Sequence, residues 1–199
     1  MSKVLKGVSG EFKQPEPGSY PVAIVVTADI GTQPEDVIKA GVHAGKIVKG
    51  GPKLMFNLEL LTGEDKPFTL IKEMTITFGE RSALTEFAKA FLGLSAKEFA
   101  KLSDTKGVSL SEFLGKKALA SVERTESGKT KLKGVMPLPR GMVVPEPKSE
   151  LLDFDIDDVS DDVFSKLPKL VQDKILQSAE RKESSSSDSF DGDSSALDL

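Results

Sequence analysis

The chain has 199 residues, 38% hydrophobic and 29% charged, enough for one ordinary core beside a polar segment. It has no cysteine and a single histidine, which excludes disulfides, zinc–thiolate sites and cysteine nucleophiles and leaves little material for a histidine metal site or a serine–histidine triad. The net charge of −4 joins two opposites: residues 1–148 carry 22 Lys and Arg against 17 Asp and Glu, and residues 149–199 carry 5 against 14, so a basic body precedes an acidic tail.

Residues 1–17, with Pro15 and Pro17, read as a flexible arm. Tyr20 to Val26 is rich in β-branched residues and predicts a first strand. Residues 31–52 read as a loop with room for a helical turn in "PEDVIKAGVHAGK". In "KLMFNLELL", Leu54, Phe56, Leu58 and Leu60 share one face by period two. A turn at "TGEDK" leads into "PFTLIKEMTITF", so the two segments form a hairpin with Met74, Ile76 and Phe78 inward.

The period then becomes helical. Leu84, Phe87, Ala88, Phe91 and Leu92 make an amphipathic stripe, with Ser82 as N-cap and Gly93 just past the end. Ser95 with Glu98, and Ser109 with Glu112, predict capping boxes opening helices at 96–102 and 110–114. "KKALASVER" and "TKLKGVMPLP" flank Gly128 as a second hairpin. Leu151, Leu152, Phe154 and Ile156 fit an extended strip, and Ser160 caps a helix that Pro168 interrupts or restarts. The Ser/Asp-rich end from 184 cannot bury enough surface to fold.

The order strand, strand, strand, helix, strand, strand is that of a mainly β, five-stranded OB-fold barrel with a helical insertion. The expected division is an arm at 1–17, the OB-fold domain at 18–142, an acidic linker at 143–159, an amphipathic helix at 160–183 and a disordered acidic tail at 184–199. OB-folds bind oligonucleotides on the face of their second and third strands, between the loops after strands one and four. Those loops here hold Lys46, Lys49 and Lys53, and Lys129, Lys131 and Lys133, with Lys66, Lys72, Lys116 and Lys117 as further candidates. With no Trp and one Tyr, stacking surfaces are sparse; Tyr20 and Phe68 near strand starts are the candidates, with Phe12 a third. This argues for binding dominated by the phosphate backbone. No constellation supports an enzyme, no cofactor or metal site is evident, and no segment has the apolar length or signal-peptide pattern of a membrane-inserted or exported chain, so a cytoplasmic location is expected.

The segments "GSYPVAIVVTADIGTQ", "KLMFNLELLTGEDKPFTLIKEMTITFGERSALTEFAKAFLG" and "FLGKKALASVERTESGKTKLKGVMPLPRG" together resemble bacteriophage OB-fold single-stranded-DNA-binding proteins of replication and recombination, over residues 15–142. The resemblance implies a non-enzymatic binder of single-stranded DNA in an infected bacterial cell, whose acidic tail recruits phage or host replication and recombination proteins. Phe154, Phe164, Leu167, Leu170, Phe190, Leu197, Asp198 and Leu199 are the candidate partner-binding groups of that tail. The tip "SSALDL" departs from the bacterial pattern of aspartates followed by Ile-Pro-Phe. The alternative reading is a protein-interaction adaptor, or an inhibitor of a host factor, on a barrel without nucleic-acid binding.

Overall fold

The computed structural model describes residues 14–38, 43–77, 79–105 and 107–182. Phe12, Phe78, Phe190, Leu197, Asp198 and Leu199 lie outside the described residues, as do most of the predicted arm and the whole 184–199 tail.

The architecture is mainly β, a curled antiparallel sheet resembling an incomplete barrel, with a few helices. The strands are β1 (Gly18–Gln33), β2 (Asp36–Val37), β3 (Ile47–Val48), β4 (Gly51–Leu60), β5 (Thr69–Thr75), β6 (Lys117–Arg124), β7 (Thr130–Met136) and β8 (Leu152–Phe154). The helices are α1 (Ala83–Leu92), α2 (Ala96–Thr105), α3 (Asp161–Lys166) and α4 (Lys169–Leu176), with a 3₁₀ turn at Leu110–Phe113. The main sheet runs β5-β4-β1-β6-β7, and β8 adds to β1.

The strand count exceeds the expected five because the connection read as a loop contributes two short paired segments, and the extended strip read at 151–156 pairs with the sheet. Within the 34–50 connection Asp36 lies opposite Val48 and Val37 opposite Ile47, so these residues pair as a short ribbon, and residues 39–42, the middle of the expected helical turn, lie outside the described residues. Gly50 pins its base: a Cβ there would sit 2.7 Å from the Gln33 carbonyl oxygen. Residues 152–154, placed in the acidic linker, run parallel to Val26–Ala28 of β1. β6 pairs with β1 only from Gly18 to Ala23, so the second half of β1 has a bare edge, and β8 fills it. The helix expected at 160–183 is interrupted at Pro168 as the sequence indicates, giving α3 and α4, with the break where Pro168 follows Leu167.

β1 separates two cores. Inside the curl, Val22, Ile24, Phe56, Leu58 and Leu70 pack on Phe87, Phe91 and Phe113 from the helical insertion. The Phe56 and Phe87 rings meet at 4.7 Å. Ser82 caps α1 by accepting from the Thr85 N–H at 3.1 Å, and Gly93 ends it at φ 69°. The Ser95–Glu98 box forms reciprocally, through Glu98 N–H to Ser95 Oγ and Ser95 N–H to Glu98 Oε2. The Ser109–Glu112 pattern instead starts the 3₁₀ turn, and no side chain caps it.

The second core lies on the outer side. Val25, Val26, Ala28 and Ile30 of β1 and Met55 of β4 are covered by Leu152, Phe154, Ile156, Leu167, Val171 and Ile175. The acidic segment is therefore an amphipathic element: its alternate apolar residues are buried, and Asp153, Asp155 and Asp157 stay exposed. Burying six such side chains contributes on the order of 10 kcal/mol. Gly31 lies where this layer closes on β1. At φ +68° it adopts a left-handed backbone, and a Cβ there would come within 2.5 Å of Ile156 Cδ1 and Glu180 Oε2.

Candidate nucleic-acid interface

The outer face of β4, where the sequence places the ligand, is covered by the chain itself. Lys53, Met55, Asn57 and Glu59 alternate onto that face and all are buried. The Glu59 carboxylate, 1% exposed, accepts the backbone N–H groups of Lys148 at 2.7 Å and Ser149 at 2.9 Å. Lys53 donates to Glu73 at 2.7 Å, and Lys174 of α4 approaches the other Glu73 oxygen at 3.3 Å. Burial alone would raise the Glu73 carboxyl, but the Lys53 hydrogen bond and the charges of Lys174 and Lys53 outweigh it and hold it below the usual carboxylate value. Lys53 is thus corrected from a groove lysine to a buried structural partner.

On β5 the inward positions are Leu70, Lys72 and Met74, since Lys72 pairs in register with Phe56 of the inner core. A lysine on that face is tolerable because the curl does not close. β5 and β7 are the two ends of the hydrogen-bonded sheet path. Between them lies a cleft of about 450 Å³, lined by Phe68 to Glu73 on one side and Thr130 to Leu132 on the other. Lys72 and Lys131 stand on its opposite walls.

At its Phe68 end the cleft meets a second recess of about 230 Å³, lined by Tyr20 and Phe68 with Leu60 and Gln14. The two aromatic candidates therefore come together, and Phe68 borders both spaces. Tyr20 is fixed by donating its hydroxyl to the Glu16 carbonyl at 2.8 Å. Gln14 lines the recess, and its Oε1 accepts from Thr130 N–H and Oγ1 at 3.0 and 2.8 Å. The Arg124–Glu16 ion pair lies beside it at 3.2 Å.

The other lysines divide into groups. Lys66, Lys129, Lys131 and Lys133 are exposed around the cleft and recess; Lys133 is 3.7 Å from Glu123, while Lys66, Lys129 and Lys131 form no ion pair among the described residues. Lys46 and Lys49 are exposed on the β2–β3 ribbon, at the opposite end of β4 and β5. The seven residues of β5 between these groups span about 20 Å. Lys116 precedes β6 and Lys117 begins it, far along the hairpin from Lys129; Lys116 is exposed and Lys117 is ion-paired with Glu146 at 2.6 Å.

The tail candidates also divide. Phe154 and Leu167 are 1% and 3% exposed and belong to the second core, so both are corrected from free partner-binding groups to interior side chains. Phe164 is half-buried, 6.0 Å from the Phe154 ring and 5.9 Å from the Arg181 guanidinium. Leu170 remains half-exposed on α4. The covering layer has a sequence signal: Val22 to Val26 is apolar at every position, the pattern of a strand buried on both faces.

A third recess, of about 320 Å³, is lined by Asp29, Asp153 and Asp155 with Leu54, Ile76 and Phe154. Burial raises the Asp29 carboxyl, the Asp155, Asp157 and Glu180 charges add to it, and the Gly31 N–H acts against it. Among the described residues no group of His, Asp and Glu is arranged to hold a metal ion, and no helix is long and apolar enough to cross a membrane. No protein-family model, curated protein or solved structure matches this chain.

Proposed function

We propose that the chain is a non-enzymatic single-stranded-DNA-binding protein of phage replication and recombination, built on an OB-type barrel left open between β5 and β7. The strand order β5-β4-β1-β6-β7, with the helices inserted between β5 and β6, supports the OB-type reading. The observation that carries the function is the cleft itself. It sets Lys72 against Lys131, continues past Phe68 to Tyr20, and has Lys66 and Lys129 exposed around it. Lysines along a channel with a few aromatic faces suit a phosphodiester backbone without sequence readout.

The strand runs along this cleft rather than on the outer face of β4. Displacing the C-terminal layer that covers β1 and β4 would forfeit on the order of 10 kcal/mol of apolar burial, more than the roughly 8 kcal/mol that a micromolar complex yields in total. The segment beyond residue 182 recruits the partner proteins.

Fluorescence anisotropy with a labelled single strand over a salt series tests the proposal. Binding that weakens steeply with salt, with little affinity for a duplex of the same length, is expected. Absence of binding at low salt would sink the proposal and leave the adaptor reading.

A further inference from the structure

The β2–β3 ribbon exposes aliphatic side chains that no core uses. Val37 is 48% exposed and Ile47 61%, and the two are paired in register, so they share one face. Val48, on the other face, looks back into a recess beside Lys174 and Gln177 of the α4 region. The ribbon is a built element: Ile38 N–H donates to the Lys46 carbonyl at 3.0 Å, Gly45 N–H returns to the Ile38 carbonyl at 2.7 Å, and Gly50 fits its base.

We propose that Val37 and Ile47 form a wedge that contacts the bases of single-stranded DNA, while Lys46 and Lys49 hold the flanking phosphates. The inference rests on the single-strand reading above and gives that reading base contacts outside the Tyr20–Phe68 recess. Two half-exposed aliphatic side chains fall far short of the roughly 800 Å² per partner of a stable protein interface. Isoleucine and leucine serve as apolar wedges between the base steps of kinked duplexes, and a pair of this size suits the same contact with the bases of a single strand. β-Branched side chains are stiff at χ1, so little rotamer freedom is lost on contact. Lys46 and Lys49 bracket Ile47–Val48, both are exposed, and neither forms an ion pair among the described residues; the other arm carries exposed Glu35 and Asp36, so the phosphate contacts fall to the Lys46–Lys49 arm. The ribbon also follows β1 and precedes β4, at the far end of β5 from Lys129, so a strand leaving the cleft past Thr75 reaches it next.

The test uses the full chain, which has no tryptophan. Ile47→Trp places one reporter on the wedge. Its emission is expected to be quenched by a single strand, saturating with the anisotropy of the same labelled strand, and not by a strand of the same length made of abasic units. Val37→Ser/Ile47→Ser is expected to weaken binding about 5- to 20-fold at one salt concentration with the salt slope unchanged. Lys46→Ala/Lys49→Ala is expected to flatten the slope. These positions lie outside both cores, and circular dichroism checks that each variant folds. If wild type binds DNA but the serine variant binds equally well and the tryptophan is silent, the wedge is wrong and the single-strand reading survives. If wild type fails to bind, both fall. A tryptophan shift that follows protein concentration without DNA would assign the ribbon to self-association and overturn the wedge.

Discussion

Phe154→Ala is the sharpest test of how the acidic segment is held. The ring is 1% exposed, belongs to the second core and lies 6.0 Å from Phe164. Truncating a buried phenylalanine costs about 3–4 kcal/mol through lost transfer energy and an unfilled cavity. In a domain of this size each kcal/mol lowers the midpoint by roughly 2–4 °C, so the expected fall is about 6–16 °C. Circular dichroism melts and urea titrations of the full chain measure it. Asp158→Ala, nearby in the chain but exposed, is the control and should change stability by less than about 0.5 kcal/mol. A Phe154→Ala protein within about 2 °C of wild type would refute the reasoning, because residues 150–182 would then rest loosely on the sheet.

Three further outcomes follow from the same contacts. Glu59→Ala leaves the N–H groups of Lys148 and Ser149 without their acceptor and should cost about 1–3 kcal/mol in urea unfolding, with Glu59→Gln intermediate. Asp29→Asn should stabilise the protein at pH 7: the raised carboxyl of Asp29 opposes folding while ionised, and that cost disappears as pH falls through the raised value toward the ordinary 3.8. Its advantage in urea titrations should therefore vanish below about pH 4, and a variant less stable than wild type at pH 7 would contradict the sign. Replacing Lys129, Lys131 and Lys133 together by alanine should reduce the salt slope of single-strand binding by up to about 2; an unchanged slope would remove them from the site.

Much of the framework was legible because its signals are local. Ser82, the stripe from Leu84 to Leu92 and Gly93 define α1 by themselves, and the alternation in "KLMFNLELL" defines β4 and its inner face. Other features depend on partners far along the chain. Lys53 reads as a loop lysine beside Gly50 and Gly51, and its burial follows from Glu73 on β5 and the α4 layer carrying Lys174. "LDFDI" has the period of a half-buried strand, and its place depends on β6 leaving β1 after Ala23, which no local pattern reveals. The ribbon carries no strand signal in the sequence because its paired segments are only two residues each. For the site, the lysines around the cleft and the pair Tyr20–Phe68 were named from sequence, whereas the covering of β4 was not. That covering moves the proposed strand to the β5–β7 cleft.

Backbone hydrogen exchange, read by mass spectrometry with and without saturating single-stranded DNA, tests this placement most directly. The account predicts added protection in residues 66–72, 129–135 and 46–49, with exchange at 152–154 and 169–176 unchanged. Faster exchange in 152–176 on adding DNA would mean that the strand displaces the C-terminal layer and takes the β4 face, and it would contradict the account.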